Sequence, residues 1–156
     1  MTLKISSPVF KNNDYIPSTY TCEGRNINPT LLIEGIPEKA KSLALIMDDP
    51  DAPMGTFVHW VAWNVELVDE IPERIPKEYS ITHPLTLNQG KNSAQQTGYM
   101  GPCPPVGHGV HHYHFKLYAL DTTLDLPQNT TKEDLLKAME GHIIEKAEIV
   151  GLYKRD

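Results

Sequence analysis

The chain has 156 residues, 40% of them hydrophobic, with 13 prolines, two cysteines and a formal net charge of -6. That length and apolar content suit one domain with its own core, while an acidic chain without a basic run excludes a generic nucleic-acid binder, which needs clustered Lys and Arg. No stretch approaches the length of a membrane span, and residues 1–17 lack the apolar core of a signal peptide, so a cytoplasmic protein with Cys22 and Cys103 reduced is expected.

Prolines spread along the whole length, with short apolar runs between them, predict a mainly β fold with helix confined to the end. Leu3–Val9 and Leu31–Ile33 read as short strands, with a loop over Cys22–Pro29 between them. Lys41–Met47 (KSLALIM) is a buried strand, and it is stopped by Asp48-Asp49-Pro50-Asp51-Ala52-Pro53, where proline and Asp side chains favour turns. Phe57–Val65 (FVHWVAWNV) is apolar on both faces and so reads as a central strand; strict alternation puts His59 with Val61, Trp63 and Val65, opposite Trp60 and Ala62. Val68–Tyr79, interrupted by Pro72 and Pro76, is an irregular excursion, and Pro84–Thr97 is a long polar loop.

The chain then reads GYMGPCPPVGHGVHHYHFKLYALD from Gly98 to Asp121. Its prolines and glycines make a stiff loop, after which His111, Tyr113, Phe115, Leu117 and Ala119 share one strand face and His112, His114, Lys116 and Tyr118 the other. Two polar rings therefore stand at the loop end of an apolar face. Further on, Thr130 and Glu133 fit a capping box, and Leu135, Leu136, Met139 and Ile143 recur at helical spacing. Ala147–Lys154 alternates like a last strand, the alternative being a helix that runs on to Ala147.

Each feature has a structural and a chemical reading. Asp49 and Asp51 either shape their turn or meet a ligand, and His59 is either a satisfied core residue or a binding group. The Gly/Pro loop is either a rigid connector or a nest of backbone donors, supplied by Gly101, Cys103 or the residues around Gly107 and extended by His111 and Tyr113. Such donors suit phosphate or carboxylate oxygens. Two hydrolase readings compete: a metal enzyme using His108, His111, His112 and His114, and a thiol enzyme using Cys103 with a His and an Asp. On a strand His111 points away from His112 and His114, and HExxH, CxxC, GxSxG and Walker-type motifs are absent.

Taken in order, CEGRNINPTL at Cys22–Leu31, DDPDAP at Asp48–Pro53, VHW at Val58–Trp60, GPCPPVGHGVHHYHFKLYALD at Gly101–Asp121 and AEIVGLYKR at Ala147–Arg155 resemble the phosphatidylethanolamine-binding protein family, in its bacterial and archaeal Raf-kinase-inhibitor-like branch. The resemblance implies a large central antiparallel sheet, a smaller sheet packed on it, a C-terminal helix and an anion pocket at the sheet's edge. It implies as pocket residues Asp49, His59, Gly101, Pro102, Cys103, His111 and Tyr113, and makes Ala52–Pro53 a candidate cis peptide. One departure is His111-His112-Tyr113, where the family usually reads His-Arg-Tyr, which puts an outer-face ion pair in question. The implied function is a non-enzymatic binding or regulatory protein without cofactor, taking a small anion or a phosphate ester such as the phosphoethanolamine headgroup. Asp49 would then either attract the ammonium or fix a histidine tautomer. A protein kinase or serine protease target and a homodimer are also implied by the resemblance.

Overall fold

A computed structural model describes residues 2–156. The long apolar runs lie side by side at its centre: β4 (Ser42–Asp49) pairs antiparallel with β5 (Phe57–Val65) on one side and with β9 (His111–Leu120) on the other. All eight residues of β4 are buried, and its Leu43–Met47 run is apolar without a break, because a strand covered on both faces has no reason to alternate. β10 (Ile143–Tyr153) extends the sheet beyond β9 and takes the short parallel strand β2 (Asp14–Tyr15) on its far edge. Beyond β5 come β8 (Leu87–Gln89) and β7 (Ser80–Ile81), giving seven strands in the order β2-β10-β9-β4-β5-β8-β7.

A second sheet, ordered β1-β3-β6, is built from β1 (Lys4–Ser6), β3 (Leu31–Glu34) and β6 (Glu70–Ile71). Its Ile5, Leu31, Ile33 and Ile71 close the main core against Leu43, Leu45, Met47, Trp60, Phe115 and Leu117 of the large sheet. The opposite face of the large sheet carries Ala44, Ile46, Val61 and Trp63, covered by Leu135 and Met139 of helix α1 (Lys132–Met139). The fold is mainly β in two sheets with one helix, as expected.

Several boundaries move. The first strand is three residues long; β6 falls in the irregular excursion, β7 precedes the polar loop and β8 lies within it. The capping box sits one residue later than read: the Thr131 side chain accepts from the Asp134 N–H, and Asp134 accepts from the Thr131 N–H. Ile143 opens β10 instead of continuing the helix, which ends at Met139 before Gly141 takes a φ of +80°. Of the expected last strand Ala147–Lys154, all but Lys154 belong to the longer β10. The cis peptide is His83–Pro84 and not Ala52–Pro53.

The consequential difference lies in β5. Met47 pairs with Trp60 and Asp48 with Val58, so His59 is an extra residue with no partner on β4. A bulge of this kind breaks strict alternation and re-aims a side chain. Val58, Val61 and Trp63 pack toward the helix and Trp60 and Ala62 toward the small sheet, while the His59 ring stands 5.2 Å from that of Tyr113, whose own face is the inter-sheet one. His59 therefore leaves the Val61–Trp63 face assigned to it by period two. A second shift, with Asn64 at a φ of +50°, returns Val65 to the inter-sheet core.

Candidate functional site

The two aspartates that end β4 point to opposite faces and take different partners. Asp48, on the helix side, is held by Lys132 Nζ at 2.7 Å and Lys116 Nζ at 3.2 Å, tying α1 to the sheet. Asp49, on the inter-sheet side, has Oδ2 2.6 Å from His111 Nδ1, and its Oδ1 accepts the Asp51 N–H at 2.8 Å. Both Asp49 and His111 are buried. The turn after β4 and the start of β9 are thus clamped together by one carboxylate.

His59 completes the group. Its Nδ1 lies 2.6 Å from the Met100 carbonyl oxygen, which can only accept, so Nδ1 carries the proton. Burial pushes the His59 pKa below its usual 6.5 although the Met100 hydrogen bond and the Asp49 charge oppose the shift, and the ring is neutral at neutral pH. A neutral ring protonated at Nδ1 offers only a lone pair at Nε2. Tyr113 keeps its phenolic proton, because burial and the nearby Asp49 and Asp51 carboxylates raise its pKa far above the usual 10. Cys103 adds a backbone N–H with no acceptor among the described residues, while Pro104 and Pro105 beside it have none to offer.

Asp49, His59, Cys103, His111 and Tyr113 line one cavity of about 190 Å³, closed further by Phe57, Pro104 and Pro105. Five of the seven residues singled out in the sequence therefore meet in one hollow. Gly101 and Pro102 stand behind its wall. The Gly101 N–H donates to Asn26 Oδ1 at 2.7 Å, and the Pro102 carbonyl accepts the Cys22 N–H at 3.1 Å. A Cβ on Gly101 would stand 2.3 Å from the Tyr20 carbonyl oxygen, so glycine is required there by backbone contact.

The expectation of two reduced cysteines is overturned: Cys22 and Cys103 form a disulfide across 81 residues of sequence. The Gly101–Asn26 and Cys22–Pro102 hydrogen bonds lay the two loops against each other and bring the sulfurs within reach, a proximity that two isolated cysteines in a sequence do not announce. With its sulfur bonded, Cys103 is no thiolate nucleophile, and the thiol-hydrolase reading loses its central group. Among the described residues no three His, Cys, Asp or Glu side chains converge as a metal site, so the metal-hydrolase reading has no ligand set behind it.

Met100, Phe57 and His108 join the site without having been singled out as pocket members. Met100 acts through its carbonyl, which no residue type reveals. Phe57 sets its ring 4.8 Å from that of His59. His108 Nδ1 lies 2.6 Å from His111 Nε2, a pairing visible in sequence only as one more histidine three residues upstream. His112, in the position of the family's usual Arg, turns to the other face, where its N–H donates to Asp51 Oδ2 at 2.8 Å and its Nδ1 lies 2.7 Å from the same oxygen. The outer-face link to the turn is kept with a histidine.

A family model described as phosphatidylethanolamine-binding protein matches residues 6–154. The chain belongs to this family. It is 60% identical over 155 residues to a UPF0098 protein of Pyrococcus horikoshii, spanning 99% of this chain and 78% of that one. Among solved structures, a phosphatidylethanolamine-binding protein homologue from Chlamydia trachomatis superposes with a TM-score of 0.90 at 38% identity, covering 99% of both chains. Escherichia coli YbcL, a member of the same family, does so with a TM-score of 0.90 at 29% identity over the whole of both chains. Family membership accounts for the two-sheet architecture and is consistent with a binding role.

Proposed function

We propose that the cavity binds one proton-bearing phosphoryl group, free or as a small ester such as phosphoethanolamine, and that the protein works by recognition and not by turnover. The observation that carries this reading is the hydrogen bond from His59 Nδ1 to the Met100 carbonyl. It fixes Nε2 as an acceptor, so the ligand must bring an acidic hydrogen to that corner, while the Tyr113 hydroxyl and the Cys103 N–H donate to its remaining oxygens. A hydrogen phosphate monoester has both kinds of oxygen. A rigid wall of Cys103, Pro104 and Pro105, stapled to Cys22, suits preorganised binding, since little ordering cost remains to be met when the ligand enters.

The role of Asp49 follows from its contacts. One oxygen faces His111 and the other the Asp51 N–H, so the carboxylate is engaged in holding a ring and a turn; this favours the tautomer-fixing role over attraction of an ammonium. Asp49→Ala is expected to weaken inorganic phosphate and phosphoethanolamine by the same factor. A selective loss of phosphoethanolamine in calorimetric titration would reinstate the ammonium contact.

The binding reading itself is tested by titrating the protein at pH 7 with phosphoethanolamine and with the matching sulfate ester of ethanolamine. Sulfate monoesters hold no proton at that pH, and an oxygen lone pair set against the Nε2 lone pair leaves an acceptor unpaired at about 1–3 kcal/mol. Phosphate is expected to bind about tenfold or more tightly than sulfate. Equal affinities, or no binding of either, would overturn the reading.

A further inference from the structure

The hydrogen-bond chain that begins at Asp49 does not end at His111. His111 Nε2 lies 2.6 Å from His108 Nδ1, with the two rings 4.9 Å apart and inclined at 64°. His111 is buried, whereas His108 sits on the exposed loop that precedes β9. Two ring nitrogens at that separation share one proton, since two N–H groups facing each other clash and two lone pairs repel. With Asp49 ionised, His111 Nδ1 already holds a proton to donate to it. The shared proton then makes either His111 the imidazolium or His108 the donor.

The two placements differ by one proton of charge: with the shared proton on His108 both rings are neutral and the chain is singly negative, whereas with it on His111, His108 then holding its own proton at Nε2, the chain is neutral. One proton taken up from water at the exposed His108 ring converts the Asp49–His111–His108 chain from a single negative charge to neutrality, and nothing has to enter the cavity to achieve it. An anion approaching Asp49 meets repulsion before that uptake and none after it.

We propose that His108 is the proton port of the cavity: protons from solvent reach the buried Asp49–His111 pair through its ring, and anion affinity is linked to their uptake. The proposal rests on the phosphoryl reading of the cavity. Other charged or titratable groups surround the chain on every side. Asp51 lies in the turn after β4; His59, on β5, is kept neutral by burial; and Tyr113, on β9, retains its proton. Tyr153 is paired with His111 across β10, and its hydroxyl donates to Glu23. Arg155 spends its Nε on the Pro104 carbonyl at 2.7 Å, and His112 faces Asp51 on the other side of the sheet. Of the groups bonded directly to the Asp49–His111 pair, only His108 combines a titratable ring with exposure to water.

His108→Ala tests the proposal, since it alters an exposed loop and leaves the core intact. In ligand-free protein, ring-nitrogen NMR is expected to show His111 and His108 titrating as a linked pair in the wild type. In the variant that linkage is lost, and the His111 ring-nitrogen profile differs from that of the wild type. Affinity for inorganic phosphate, measured from pH 5 to 8, is expected to fall in the variant by about threefold or more near pH 7, the size of a half-unit shift in midpoint. Superimposable His111 titrations with the same phosphate affinity at every pH would overturn the proposal. If the wild type binds phosphate at no pH, the phosphoryl reading fails, and the ring titration alone decides whether protons reach His111 through His108.

Discussion

His59 shows how little of a residue's chemistry lies in its identity. A histidine on a central strand is ordinarily a satisfied core group, and half of this one is: Nδ1 is spent on the Met100 carbonyl. In the proposed function the other nitrogen is the one offered to the ligand. Because burial lowers the His59 pKa in the folded chain below its unfolded value of about 6.5, its contribution to stability is complete above that pH and is lost as pH falls toward the folded value. The urea midpoint of the wild type is therefore expected to drop between pH 7 and pH 5, and that of His59→Gln to drop less. Equal drops in the two proteins would place the His59 pKa elsewhere. The same variant, whose amide can donate, is expected to narrow the gap between phosphate and sulfate affinity.

At the scale of elements, a bulge and a disulfide build the site. The extra residue in β5 turns His59 from the helix-covered face to the Tyr113 side, and the Cys22–Cys103 bond fixes the opposing wall. A crosslink closing a loop of this length stabilises by about 2–4 kcal/mol, chiefly by restricting the unfolded chain. The double variant Cys22→Ser/Cys103→Ser is expected to lose about that much stability in chemical denaturation and to bind phosphate more weakly, because the cavity wall at Cys103 loses its tie to Cys22. Unchanged affinity in the double variant would show that the wall needs no staple. Gly101→Ala is expected to cost about 1–3 kcal/mol, since its Cβ would run into the Tyr20 carbonyl and the Asn26 side chain. A denaturation midpoint equal to that of the wild type would mean that the two loops separate freely.

On the scale of the whole molecule, three segments far apart in sequence converge: the turn after β4, the bulged strand β5, and the loop leading into β9. The fold was legible because its central strands are continuous apolar runs and because His111, Tyr113, Phe115 and Leu117 keep period two without interruption. The residues of the cavity were legible as a set through the ordered motifs that carry them. What stayed hidden has physical causes. A bulge leaves no residue-type signature, so the face of His59 was misread; a lone pair of cysteines gives no sign that loops 81 residues apart will meet; and a carbonyl such as that of Met100 is present at every position of every chain. Asp48 and Asp49, adjacent and identical, acquire opposite duties only because successive strand residues face opposite layers.

The most direct test is a crystal structure of the protein grown with inorganic phosphate near neutral pH. The account predicts one phosphoryl group in the cavity, with an oxygen within about 3 Å of His59 Nε2 and others at that distance from the Tyr113 hydroxyl and the Cys103 N–H. Phosphate bound elsewhere while the cavity holds only water, or His59 turned so that Nε2 meets a protein donor, would contradict it.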